Sequence, residues 1–343
     1  MVTIIAWIVV FGVLVAVHEL GHFLVAKSFG MQVDEYSLGF GPRLIGLHFG
    51  ETDYSVRLIP LGGYVRLAGM DGERSSDPNE YPNRPLWQRF LVIFAGPVMN
   101  MVLAFLLFAL LFGPIGMAYG TTTISHVMPH YPAAAAGLRA GDRIVAIDGH
   151  AITSGTALQH AIATHAKQTM RVSVVRGHVH RVFHLKAKLD TSLNPKQYLI
   201  GIQLKTVIVH LGLWKSIKTG VVQTVQLTGA WFSQLFLLVT GRTRFDVMGP
   251  VGIAVTIGQA AHQGFASLIF LAAILSANLG LFNILPVPVL DGSKLWLLAL
   301  EGVRRRAMDP ERESMIHLVG MAFLLVFVVF VTYHDIVHYL HLG

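Results

Sequence analysis

The sequence predicts a polytopic α-helical membrane protein: four transmembrane helices, a membrane-associated β-hairpin segment after the first, and an α+β soluble domain inserted after the second. Three observations lead there. Of 343 residues, 53% are hydrophobic and only 13% charged, the latter roughly half the ~25% usual for soluble domains. Several stretches are long and almost free of charge, and the composition changes sharply between them. Neither a Gly repeat nor a heptad runs through the chain, so collagen and coiled coil are excluded. The apolar content excludes disorder.

Residues 4–26 carry Glu19 as their one charge, and residues 90–113 carry none. Both exceed the ~20 residues that cross a hydrocarbon core. Further spans are expected at 265–285 and 314–333. No basic residue precedes the first span and its apolar run is long, so it does not read as a cleaved signal peptide. Between the first two spans, residues 34–70 are rich in Gly and β-formers, with alternation in Tyr54-Ser-Val-Arg-Leu58 and turn signals at Gly39, Gly41-Pro42, Pro60 and Gly62-Gly63. That pattern reads as hairpins. Residues 119–209 are richer in charge and Gly, with strand-like alternation in Arg171-Val-Ser-Val-Val-Arg176. This is the inserted domain. It divides the membrane core into 1–118 and 263–343, with 210–262 expected to form amphipathic interfacial helices.

Net charge is +7, but the basic residues are scattered and no aromatic-interleaved basic stripe appears. Nucleic acid is therefore excluded as a partner, and membrane lipid is the expected surroundings. The short loops give the orientation. Lys27 to Arg89 holds seven Lys/Arg, and Arg304, Arg305, Arg306 and Arg312 cluster before the fourth span. The positive-inside bias puts these loops in the cytoplasm and both termini, with the inserted domain, outside.

The chemistry begins with His18-Glu19-Leu20-Gly21-His22 in the first span. Positions i and i+4 share a helix face, so both imidazoles can bind one Zn²⁺ while Glu19 lies beside them as a base. A charge at mid-membrane costs on the order of 2.5–3.5 kcal/mol on insertion scales, which argues against chance. The chain has no Cys, so any metal is held by His and carboxylate. Catalytic zinc usually has three protein ligands and an open position. The third candidate is Asp291 in Asn283-Ile-Leu-Pro286-Val-Pro288-Val-Leu290-Asp291-Gly292. Two prolines break the helix there, and irregular backbone at membrane depth is tolerated only where protein or a wet cavity satisfies it. An Asp beside the break can be an oxygen ligand or a helix cap.

Together these motifs resemble the site-2 protease family of intramembrane zinc metalloproteases, most closely its RseP type (regulator of sigma-E protease), here with a single PDZ domain. Supporting segments are Gly39-Phe40-Gly41-Pro42, Ile59-Pro60-Leu61-Gly62-Gly63-Tyr64-Val65, Phe94-Ala95-Gly96-Pro97-Val-Met-Asn100 and Gly249-Pro250-Val251-Gly252-Ile253. The inserted domain resembles a PDZ domain in Pro132 to Gly149. The best-known RseP-type enzymes carry two such domains, and the usual LDGG reads Leu290-Asp291-Gly292-Ser293 here.

The resemblance implies one Zn²⁺ per chain held by His18, His22 and Asp291, with Glu19 as the catalytic acid/base. It implies substrate handling by Asn283 and Asn278. It also implies transmembrane protein substrates such as anti-sigma factors or signal-peptide remnants, in the inner (cytoplasmic) membrane of a bacterium. A zinc-binding transporter and a catalytically silent PDZ scaffold are the competing classes. A transport site needs no base between its histidines, and an intact HELGH argues against a scaffold.

Eight of 17 His fall between His126 and His184 and read as exposed surface, as do His334, His338 and His341. The remaining ambiguity is residues 221–241, uncharged but interrupted by Gln223, Gln226 and Gln234. One further crossing would strand Asp291 across a ~30 Å core from the histidines. The expectation is therefore an interfacial helix on the outer face.

Overall fold

The computed structural model describes residues 1–70, 76–190, 197–242, 248–306 and 309–340. The chain divides into two compact units, one of residues 1–115 with 212–343 and one of 116–211.

In the first unit, α1 (Val2–Ser28) and α2 (Leu86–Leu110) lie antiparallel. His22 meets Val92 near one end, while Ala6 and Val10 pack with Leu103 and Leu107 toward the other. Lipid tails solvate leucine as well as protein does, so such helices are held by close packing of small residues. Gly21 lies directly on the Ala95 carbonyl, and Gly280 of α7 (Phe265–Phe282) lies on that of Pro97. Phe270 packs on Phe108, so α7 runs back along α2. A one-turn π-helical extension, Leu111–Ile115, ends α2.

β1 (Val33–Phe49) and β2 (Thr52–Leu67) fold back on themselves. Residues 35–38 pair with 63–66 on one side and 53–56 on the other, while 43–49 pair with 52–57. Segment 63–67 is thus paired along one side only among these registers. Buried Glu35 holds the layers together, accepting from Arg57 at 2.6 Å and from Ser55 and Tyr64 at 2.8 Å. The far end is apolar and uncovered: Leu44, Ile45, Leu47 and Phe49 are 59–74% exposed.

After α7 the chain leaves the helix through residues 283–290 and re-enters one at α8 (Asp291–Arg304). Pro286 and Pro288 lack the amides a helix needs. Val289 sits at φ 78°, a strained value for a β-branched residue. Glu301 of α8 clasps Arg89 of α2 with both oxygens, at 2.5 and 3.3 Å. The last helix, α9 (Pro310–Leu340), is largely uncovered. Its buried Asp335 accepts the Gly249 and Gly252 amides at 3.1 and 2.8 Å. That carboxylate caps the amide end of α6 (Pro250–Gln263), where a helix favours an anion.

Four helices among the described residues are long and apolar enough to cross a membrane: Val2–Ser28, Leu86–Ile115, Phe265–Phe282 and Ser314–Val337. They fall on the four expected spans, and the chain is a multi-pass membrane protein. The third ends at Phe282 rather than 285 because the proline-containing segment begins there.

One expectation needs correcting. α5 (Leu213–Val239) does not lie across the end of the bundle. Gly220 packs on Phe105 and Ala109, Thr228 on Met101, and Trp231 on Phe282, so α5 runs lengthwise along α2. Its hydroxyls are satisfied within the helix: Thr224, Thr228 and Ser233 each donate to the carbonyl four residues earlier. Of the glutamines that suggested an interface, Gln226 and Gln234 are exposed and Gln223 is half-buried. α6 then returns, with Gly258 beside Thr3 at the start of α1. The chain is back at its starting end before α7 begins.

The second unit is built on a sheet of order β10-β3-β4-β6-β7. Its strands are β3 (Met117–Val127), β4 (Arg143–Ile147), β6 (Thr169–Arg176), β7 (Val179–Lys186) and β10 (Ile202–Val209), with β5 (His150–Ala151) on β4. β8 (Lys188–Asp190) and β9 (Gln197–Leu199) form a separate ribbon. Two helices, α3 (Pro132–Ala135) and α4 (Gly155–Thr164), complete it; Ser154 caps α4. Ile124, Ile144, Ile147, Leu158, Met170, Val172 and Val174 form its core. Asp142 is fully buried and binds Arg176 twice, at 2.6 and 2.8 Å. Burial would raise its pKa, but the Arg176 guanidinium and the Arg139 amide outweigh that and hold it below the ordinary 3.8.

Seven of the eight histidines between His126 and His184 are exposed, as expected; His165 is half-buried. His334 is exposed too, while the His338 side chain and His341 lie outside what is described.

Candidate metal centre

Three helices meet at one point. α1 brings His18 and His22 onto one face, one turn apart. α2 lies close because Gly96 has no side chain: a Cβ there would overlap the rings of His22 and His18. The break after α7 delivers Asp291, at the first residue of α8. Gly292 lets that turn sit on the Ile284–Leu285 backbone, where any Cβ would collide.

The ligand atoms converge. His18 Nε2 lies 2.8 Å from Asp291 Oδ2 and 3.3 Å from His22 Nε2, and His22 Nε2 lies 3.2 Å from the same oxygen. Tetrahedral zinc with bonds of about 2.0–2.1 Å needs ligand atoms roughly 3.3–3.5 Å apart. The observed triangle is slightly tighter and of that scale. Among the described residues, this is the group of three His and carboxylates that could hold a metal. The donor set of two imidazoles and a carboxylate suits Zn²⁺. Each ring is oriented through its other nitrogen. His22 Nδ1 lies 2.8 Å from the Val92 carbonyl, and His18 Nδ1 lies 3.1 Å from the Asn100 amide.

The triangle opens into a cavity of about 520 Å³, which Glu19, Asn283, Gly63, Tyr64, Val65 and Val289 also line. Glu19 packs beside Gly63, within contact distance of the 63–67 edge. Asn283 is buried, with Nδ2 3.5 Å from His18 Nε2. Asn278 is one and a half turns away, and its buried Oδ1 has no partner among the described residues; it does not line the cavity. Of the residues expected from sequence, the fold therefore gathers His18, Glu19, His22, Asn283 and Asp291, and leaves Asn278 aside. Sequence reasoning gave no role to Gly96 or Asn100. A signal was available: Asn100 is the one amide in residues 90–113.

Two histidines and an acid on a helix long and apolar enough to cross a bilayer, met by a carboxylate at a helix break, mark the class of zinc proteases that cut within the membrane. Peptidase family M50 is the family in question: its model matches residues 6–340, and this chain belongs to it. A protein of Clostridium acetobutylicum named as a candidate zinc metalloprotease is 33% identical, over 96% of both chains. The zinc metalloprotease RasP of Geobacillus kaustophilus is 31% identical, over 97% of both. The regulator of sigma-W protease RasP of Bacillus subtilis is 29% identical, over 97% of this chain and 98% of its own. The chain is an intramembrane zinc metalloprotease, and Zn²⁺ is its cofactor. The transporter and scaffold readings fall with that assignment.

Proposed function

We propose that His18, His22 and Asp291 hold the zinc and that Glu19 moves the proton during hydrolysis of a peptide bond in a substrate's transmembrane segment. The observation that carries this is the convergence of Asp291 on the His pair in a cavity that Glu19 shares. When bound, zinc supplies Lewis acidity toward the scissile carbonyl and makes water acidic near neutral pH. The Glu19 carboxylate takes the water's proton on one of its oxygens and returns it to the departing amine nitrogen. The Asn283 amide, beside His18, donates to the carbonyl oxygen of the bond being cut.

A membrane helix hides its carbonyls in i→i−4 hydrogen bonds, so the substrate must be unwound before attack. The 63–67 edge lines the cavity and is paired along one side, which suits it to take the unwound segment as an added strand. The apolar tip around Ile45 and Phe49 suits lipid better than water.

By the positive-inside bias, the β segment and Arg304–Arg306 face the cytoplasm, and both termini and the inserted unit lie outside a bacterial inner membrane. Substrates would be anti-sigma-factor-like proteins or signal-peptide remnants. The name of the Bacillus subtilis relative, a regulator of sigma-W protease, favours the former. The inserted unit is a PDZ domain on this reading. Its groove of about 1010 Å³ runs between α4 and β10, lined by Leu158, Ile162, Ile200, Gly201 and Ile202. β10 pairs with β3 on one edge, so the other can accept a peptide C-terminus, while the domain's bulk screens out untrimmed substrates.

Glu19→Gln tests the central assignment. The variant should keep its zinc and lose turnover of a transmembrane reporter by roughly 10²–10⁴-fold. Undiminished cleavage would remove Glu19 from the mechanism.

A further inference from the structure

Asn100 sits at the centre of the membrane unit, fully buried, with its backbone carbonyl accepting Ser276 Oγ at 2.8 Å. Its side-chain amide has one neighbour of consequence, the Nδ1 atom of His18 at 3.1 Å. The amide nitrogen faces that ring nitrogen, and the buried amide oxygen has no partner among the described residues. A half-turn of the amide about χ2 exchanges the two ends.

Which end His18 requires follows from its other nitrogen. Nε2 points at Asp291 and His22, so it is the atom offered to a cation. A neutral imidazole that gives Nε2 to a metal carries its proton on Nδ1 and must donate from there. The Val92 carbonyl provides the acceptor for His22. His18 has no backbone carbonyl in that position among the described contacts; it has Asn100.

We infer that Asn100 is the positioning residue of His18: its Oδ1 accepts the Nδ1 proton, locks the tautomer that presents Nε2, and holds the ring at the angle the metal needs. The inference rests on the assignment of His18 as a ligand. It explains why a span of apolar side chains carries one amide. Ser276 and Gly280 of α7 close against Asn100: Ser276 Oγ donates to its carbonyl, and a Cβ on Gly280 would lie 3.3 Å from the Asn100 Cβ.

The test uses the full chain in detergent, with zinc affinity measured by chelator competition and Co²⁺ substitution read by its visible absorption. Asn100→Leu, similar in size and without an acceptor, should weaken zinc binding by about ten- to a hundredfold and alter the Co²⁺ spectrum. Asn100→Asp restores an acceptor and should bring affinity back to within a few-fold of the parent. Equal affinity and an unchanged Co²⁺ spectrum in Asn100→Leu would overturn the inference. So would an Asp variant that is folded, by its protease-resistance pattern, yet as weak as the Leu variant. If Asp does not fold, Asn100→Gln with a longer reach takes its place on the same criterion. A parent chain that binds no stoichiometric zinc would instead overturn the ligand assignment beneath it.

Discussion

Gly96 and His22 share one space: the His22 imidazole occupies the position that a side chain on Gly96 would need. The metal centre therefore depends on an absence in α2 as much as on the groups in α1. Gly96→Ala should displace the ring. Overpacking costs about 1–3 kcal/mol, enough to lower zinc affinity roughly ten- to a hundredfold if it falls on the loaded state. Zinc content per chain and reporter cleavage should drop together while far-ultraviolet circular dichroism is preserved.

The orientation can be read with single cysteines, since the chain has none of its own. Glu51, in the turn between β1 and β2, and His178, between β6 and β7, are both exposed. Glu51→Cys should react with a membrane-impermeant maleimide only after the cytoplasmic side is opened, and His178→Cys in intact spheroplasts. The reverse pattern would invert the topology.

Packing of α5 along α2 is open to crosslinking. Thr228 Oγ1 lies 3.9 Å from Met101 Sδ. Cysteines at these two positions should form a disulfide under mild oxidation. A helix lying flat on the outer surface would hold position 228 well away from α2, and that pair would stay reduced.

Acid should loosen the inserted unit through Asp142. Its folded pKa lies below the ordinary 3.8, so the stabilisation from its pairing is complete above that value and is lost as pH falls through the folded one. Asp142→Asn removes the carboxylate charge that Arg176 binds, leaving Arg176 its bond to the Gly137 carbonyl, and should destabilise the unit. Hydrogen exchange across residues 116–211 of the full chain should rise at pH 7 in the variant. Its dependence on pH between 5 and 2.5 should be flatter than the parent's.

What the sequence made legible follows from how local each feature is. His18 and His22 need only the period of one helix, and the proline break before Asp291 announces itself within a few residues. The four spans follow from length and hydropathy. The lengthwise path of α5 was not legible because Gln223, Gln226 and Gln234 interrupt its apolar run and a hydropathy count does not see its packing on α2. Asn100 was passed over because a lone amide has no spacing partner; only the fold brings it to His18. The 63–67 segment was legible as β-forming, but the double pairing of 35–38 that makes it an edge depends on contacts across about thirty positions.

If the substrate adds to the 63–67 edge as proposed, the edge has a consequence for what the enzyme can tell apart. A strand added to it is gripped through peptide groups, which every residue carries alike. Those bonds do not distinguish one sequence from another, so discrimination through them is weak. Discrimination passes to an earlier event, the fraying of the substrate helix, and sequences rich in glycine or proline come apart faster than those rich in alanine and leucine. On the proposed use of that edge, selectivity would reside partly in the ease of unwinding and not in a motif alone.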